Sequence, residues 1–178
     1  MTVHIGRDEG TRYRHAMRRN ALVLVLVGSI AVIGGALAFQ FIGGLAPCEL
    51  CLLERWPYYV GIPVAVLALL AGRRPVPAAI TTGALALIFI ASSVLAFYHV
   101  GVEKHWFEGP TACTSPTTVA KTLDQLRAQL MGTQPVMCDV PQWSLFGITL
   151  AGYNFLASVA LALLSLQALR AVLSRRRP

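Results

Sequence analysis

Four cysteines carry most of the reactive chemistry in this chain: Cys48 and Cys51, with two residues between them, then Cys113 and Cys138. A CxxC spacing permits a tight, reducible disulfide and often accompanies a lowered thiol pKa. Four cysteines allow three pairings, and the spacing suggests two functional pairs, Cys48 with Cys51 and Cys113 with Cys138. CxxC is also half of a zinc site. Here the remaining cysteines are separated by 25 positions and no compact His–Cys cluster accompanies them, so no metal is expected. Disulfides that merely brace loops are a further alternative. Arg55 lies four residues after Cys51 and, on a helix starting nearby, would sit one turn from that sulfur. A cation there favours a thiolate and an anionic ligand beside it; the bland alternative is an arginine reaching for lipid headgroups. Glu54 reads as an exposed partner charge. His99 ends an apolar run and offers a hydrogen bond to a ligand carbonyl, or has no role.

The elements that must position these residues are apolar. Hydrophobic residues make up 56% of the 178, and charged residues only 13%, about half the roughly 25% of soluble domains. Crossing a bilayer takes about 20 apolar residues. Four runs approach or meet that length: residues 21–45, 56–72, 77–98 and 145–169. Pro63 should kink the second or free a carbonyl. Small residues such as Gly34, Gly35, Ala84, Ala91 and Gly152 let helix backbones approach closely in lipid. The fold class expected is all-α and integral to the membrane, a bundle of four transmembrane helices in one domain.

The net charge of +7 is not that of a nucleic-acid binder, because the basic residues sit at the edges of the apolar runs rather than along a polar face. Arg7, Arg12, Arg14, Arg18 and Arg19 precede the first run, Arg73 and Arg74 lie between the second and third, and Arg170 and Arg175 to Arg177 follow the fourth. Arg55, Lys104, Lys121 and Arg127 fall on the other side. The positive-inside rule places tails 1–20 and 170–178 in the cytoplasm and loops 46–55 and 99–144, with all four cysteines, outside. Disulfides persist outside the cytosol. Trp56, Tyr58, Tyr59, Tyr98, Trp106 and Trp143 are placed as an interfacial aromatic belt. Within the long loop, Ser115-Pro116 reads as a helix start, Val119, Leu123, Leu126 and Leu130 recur at helical spacing, and Gly132 can end it. This predicts a short amphipathic helix on the membrane surface. Cys113 and Cys138 bracket it, so a bond between them is exposed and exchangeable.

The string Pro47-Cys48-Glu49-Leu50-Cys51-Leu52-Leu53-Glu54-Arg55 after a first apolar run resembles the signature of the DsbB family of bacterial inner-membrane disulfide bond formation proteins. Cys113, the amphipathic stretch, Cys138 and Pro141-Gln142-Trp143 are similar to that family's second periplasmic loop, and the likeness runs in order over nearly the whole chain. It implies reoxidation of a periplasmic DsbA-like thiol oxidase, with ubiquinone or menaquinone in the bilayer as electron acceptor. It also implies that Cys113 forms the mixed disulfide with DsbA, that Cys138 passes electrons towards Cys48, and that Cys51, beside Arg55, meets the quinone. His99 occupies about the position of a family histidine near the quinone. The arginine-rich N-terminal tail is longer than the family leads one to expect. A vitamin-K-epoxide-reductase-like enzyme also joins four helices, CxxC and quinone, but its CxxC usually lies near the last span.

Overall fold

The computed structural model describes residues 3–72, 74–110, 123 and 136–174. Cys113 and nearly all of the amphipathic stretch lie outside the described residues. Five helices account for most of the rest: α1 (Val3–Phe41), α2 (Glu49–Leu53), α3 (Trp56–Leu70), α4 (Pro75–Glu103) and α5 (Leu150–Leu173). A small antiparallel hairpin of β1 (Ser144–Leu145) and β2 (Ile148–Thr149) precedes α5.

The four longer helices pack in a ring, α1 against α3, α3 against α4, α4 against α5 and α5 back against α1. Three segments, Arg12–Phe41, Pro75–Glu103 and Leu150–Leu173, are long and apolar enough to cross a membrane. With 15 residues, α3 spans about 22 Å at 1.5 Å per residue, short of the roughly 30 Å hydrocarbon core. Its limits have local causes. Pro57 has no N–H to continue the i→i−4 ladder from α2, so the chain turns at Glu54-Arg55 and a new helix begins at Trp56. At the far end Gly72 takes φ +55, which a helix cannot continue through. Pro63 is accommodated inside α3.

Side chains sort as expected of a bundle in lipid. Leu22, Val25, Ala65, Ala68, Leu85, Phe89 and Leu161 are buried between helices. Val27, Ile30, Leu67, Ile80, Leu87, Val94 and Leu163 point outward and are exposed. Monomers in water rarely expose an apolar surface of this extent. Packing is close where α3 meets α4: a Cβ on Gly61 would lie 2.9 Å from the Phe89 ring. The chain is therefore a mostly helical membrane protein.

Several boundaries differ from the sequence expectations. The region read as tail 1–20 is helical from Val3, in one helix with the first apolar run. That run stops at Phe41, and Gly44 follows at φ +68. The third apolar run, helix α4, extends past residue 98 to Glu103, so His99 belongs to its last turns and not to a loop. The fourth apolar run forms α5, which starts at Leu150 rather than 145. Phe146 and Gly147, both at positive φ, form the two-residue turn of the hairpin. Thr149 then caps α5, its Oγ1 accepting the Gly152 N–H at 3.1 Å. Tyr58 is not part of an aromatic belt, since it is buried between helices.

The arginines of the N-terminal stretch have structural partners as well as charge. Arg18 is buried and donates to the Gly72 carbonyl at the end of α3. Arg14 donates to the Ser174 carbonyl at the end of α5 at 3.0 Å. Both place a cation at a helix C-terminus, where unpaired carbonyls and the helix dipole favour it.

Candidate dithiol site

At the opposite end of the bundle the C-termini of α1 and α4 meet the N-termini of α3 and α5. The linker after α1 and the short α2 carry the CxxC pair into this corner. Cys48 caps α2 and is buried; its Sγ accepts the Cys51 N–H at 3.2 Å. Cys51 is half-buried on the first turns of α2. Neither is in a disulfide, nor is Cys138. Cys138 is buried in the same small cluster as Cys48, with Leu50 and Val102. Three of the four cysteines singled out in the sequence thus converge, although Cys138 is 87 positions from Cys51.

The two CxxC sulfurs differ chemically. The Cys51 thiol is lowered to about 7, first by the hydrogen bond from Cys48, against the cost of burial. Cys48 is pushed up, by the same hydrogen bond with Cys51 and then by burial. Cys51 is therefore the thiolate of the pair and Cys48 the thiol that donates to it.

Behind the cysteines lies a polar constellation. His99 is buried, with Nε2 3.7 Å from Cys48 Sγ and Nδ1 2.9 Å from Glu54 Oε1. A carboxylate only accepts, so Nδ1 carries a proton, and Nε2 is the ring nitrogen that faces the Cys48 sulfur. Glu54 is itself buried, at 6% exposure, which corrects its reading as an exposed partner charge. Its other oxygen accepts Asn154 Nδ2–H at 2.8 Å. The Tyr58 hydroxyl donates to Asn154 Oδ1, Ser158 lies 2.9 Å from that hydroxyl, and Ser92 2.9 Å from Ser158. Because Tyr58 spends its proton on Asn154, Ser158 donates to Tyr58 and Ser92 to Ser158. The chain of donors runs from the middle of α4 to the Glu54 carboxylate, and such chains reinforce one another at low dielectric.

Arg55 stands in the break between α2 and α3, half-buried, with Nη1 donating to Gln40 Oε1 of α1 at 2.6 Å. It shares a cavity of about 390 Å³ with Cys51, Glu54, His99, Phe39 and Trp143. Trp143 is held there between Phe39 and Tyr153. Thr149, the cap of α5, also hydrogen-bonds Glu103 on the cavity wall. Glu54, Gln40, Tyr58 and Asn154 were missed by sequence reasoning as site residues. The available signal was a polar group inside or beside an apolar run, which in a membrane segment is a functional hypothesis by default.

A buried dithiol at one end of an apolar helix bundle defines a membrane thiol–disulfide protein. Comparison with known proteins makes the assignment specific. The family described as disulfide bond formation protein DsbB matches residues 18–168. The chain is 30% identical over 156 residues to disulfide bond formation protein B 1 of Pseudomonas putida, covering 83% of this chain and 89% of that protein. It is 28% identical over 158 residues to disulfide bond formation protein B of a Polaromonas species, covering 86% and 92%. An uncharacterized protein of Rickettsia prowazekii is 31% identical over 142 residues, covering 79% and 80%. No solved structure matches. The chain belongs to the DsbB family, and disulfide bond formation is its function at the level that membership carries.

Proposed function

We propose that this protein reoxidises a DsbA-like thiol oxidase in the periplasm and delivers the electrons to ubiquinone or menaquinone in a bacterial inner membrane. Four crossings put both termini in the cytoplasm and all four cysteines outside. In that arrangement α3 makes the short second crossing. The observation that carries the reading is the position of Cys51 and Arg55 on one largely apolar cavity at the end of the bundle.

The cavity suits a quinone ring. Its volume of about 390 Å³ is within the roughly 300–1,000 Å³ of small-molecule pockets, which are apolar with a few convergent polar groups. Phe39, Val32, Leu150 and Trp143 give apolar walls, while Arg55 has N–H donors beyond the one given to Gln40. A bound quinone supplies a two-electron acceptor. The remaining steps belong to the protein. The partner's thiolate attacks Cys113 of a Cys113–Cys138 disulfide. Cys138, released, attacks Cys48 of the Cys48–Cys51 disulfide, an attack its packing against Cys48 favours, and Cys51 leaves as a thiolate. The partner's second thiol resolves the mixed disulfide, so the partner leaves oxidised and Cys113 is freed as a thiolate; Cys113 then attacks Cys138, which restores the outer disulfide and releases Cys48, and Cys48 takes up a proton. When the Cys48–Cys51 bond reforms, an electron pair leaves through Cys51 Sγ into the cavity and the Cys48 proton passes to His99 Nε2. Glu54 holds that imidazole in position.

The test uses the purified chain in detergent with a dithiol or reduced partner and a soluble quinone, following loss of quinone absorbance. One quinone should be consumed per dithiol. Cys51→Ser should abolish this while Cys113 still traps the partner in a mixed disulfide. Undiminished quinone reduction by Cys51→Ser would refute the assignment.

A further inference from the structure

We infer that the reduced Cys48–Cys51 pair and His99 form a binding site for a thiophilic divalent cation such as zinc or cadmium, open only while the pair is reduced. The two sulfurs and a ring nitrogen of His99 lie within 4.8 Å of one another, with Cys48 and His99 buried. Tetrahedral Zn–S and Zn–N bonds of about 2.3 and 2.0–2.1 Å put neighbouring ligand atoms about 3.5–3.8 Å apart. The Cys48 Sγ to His99 Nε2 distance is already 3.7 Å.

The surroundings match what such a site needs. Glu54 accepts the Nδ1–H of His99, so the tautomer and ring orientation are those of a carboxylate–histidine–metal arrangement, and Asn154 fixes the carboxylate in turn. Two thiolates balance the charge of a divalent ion. The adjoining cavity gives an entry route and room for a water as fourth ligand. Binding displaces the proton of Cys48, Cys51 being already the thiolate of the pair, and changes no oxidation state. Once the disulfide forms, neither sulfur is a thiolate and the site is lost. Binding rests on the geometry alone. Its consequence, reversible inhibition of electron transfer because both sulfurs are held apart, rests on the function proposed above.

The experiment uses the full chain in detergent, reduced and freed of reductant, with Co²⁺ as the probe. One Co²⁺ per chain should bind with the thiolate charge-transfer and ligand-field bands of a tetrahedral site, and Zn²⁺ or Cd²⁺ should displace it. The disulfide form of the same chain should show neither band, a comparison that needs no variant to fold. Cys51→Ser should lose the spectrum, Glu54→Gln should weaken binding roughly 10–100-fold, and Cys113→Ser should retain it. Absence of the bands in a chain whose thiols titrate as reduced, or equal bands in the disulfide form or in Cys51→Ser, would overturn the inference. A chain that reduces quinone but ignores Co²⁺ defeats only this inference. One that binds Co²⁺ but cannot reduce quinone defeats only the proposed function.

Discussion

Cys48 and Cys51 are three residues apart and chemically unequal, since the hydrogen bond between them leaves the thiolate on Cys51 and the proton on Cys48. Cys51 is also the more accessible of the two. In the reduced protein at neutral pH, iodoacetamide should therefore modify Cys51 well before Cys48, as peptide mapping by mass spectrometry would show; equal rates would contradict the assignment. Arg55 acts through the cavity. Its guanidinium is oriented by Gln40. Arg55→Ala should accordingly raise the KM for quinone by on the order of tenfold or more, the worth of one charge-assisted hydrogen bond, while trapping of the thiol partner through Cys113 is unchanged. Normal quinone kinetics in Arg55→Ala would remove its role as a ligand of the acceptor.

Among the elements, α1 does more than cross the bilayer. Besides lining the cavity through Phe39 and Gln40 at one end, it ties down the ends of α3 and α5 at the other through Arg18 and Arg14. The buried Arg18 is the stronger of these ties. Arg18→Ala should destabilise the bundle by about 1.5–3 kcal/mol, the range for a charged hydrogen bond, seen as a lower Tm in detergent. Arg14→Ala, at an exposed bond, should cost well under that. The N-terminal arginines thus gain a packing role that topology alone did not supply. The short α3 is placed by breaks at both ends, and its Tyr58 is recruited into the donor chain ending at Glu54.

For the whole molecule, the two ends of the ring have different chemistry. One end gathers arginines on helix C-termini, and the other gathers thiols, a histidine and two carboxylates around a cavity. The proposed orientation puts the first in the cytoplasm and the second outside. In right-side-out spheroplasts a membrane-impermeant thiol reagent should label a reporter cysteine at position 109 and spare one at position 10. The reverse pattern would invert the topology and with it the partner proposed.

The amino-acid sequence by itself determined the apolar helices, the CxxC pair, the proximity in sequence of Arg55 and the family, because these depend on local composition and short spacing. Hairpin β1–β2 was legible in principle from Phe146-Gly147 and the capping Thr149, yet an apolar run masked it. Tertiary structure decided which polar residues face inward. Nothing local distinguishes the buried Glu54 from an exposed glutamate beside an arginine. Its partners come from residues 99 and 154, on helices that meet it only when the ring closes. The same closure brings Cys138 to Cys48 and His99 to both CxxC sulfurs. A buried charge is tolerable only where such partners converge, and that convergence is a property of the packed bundle.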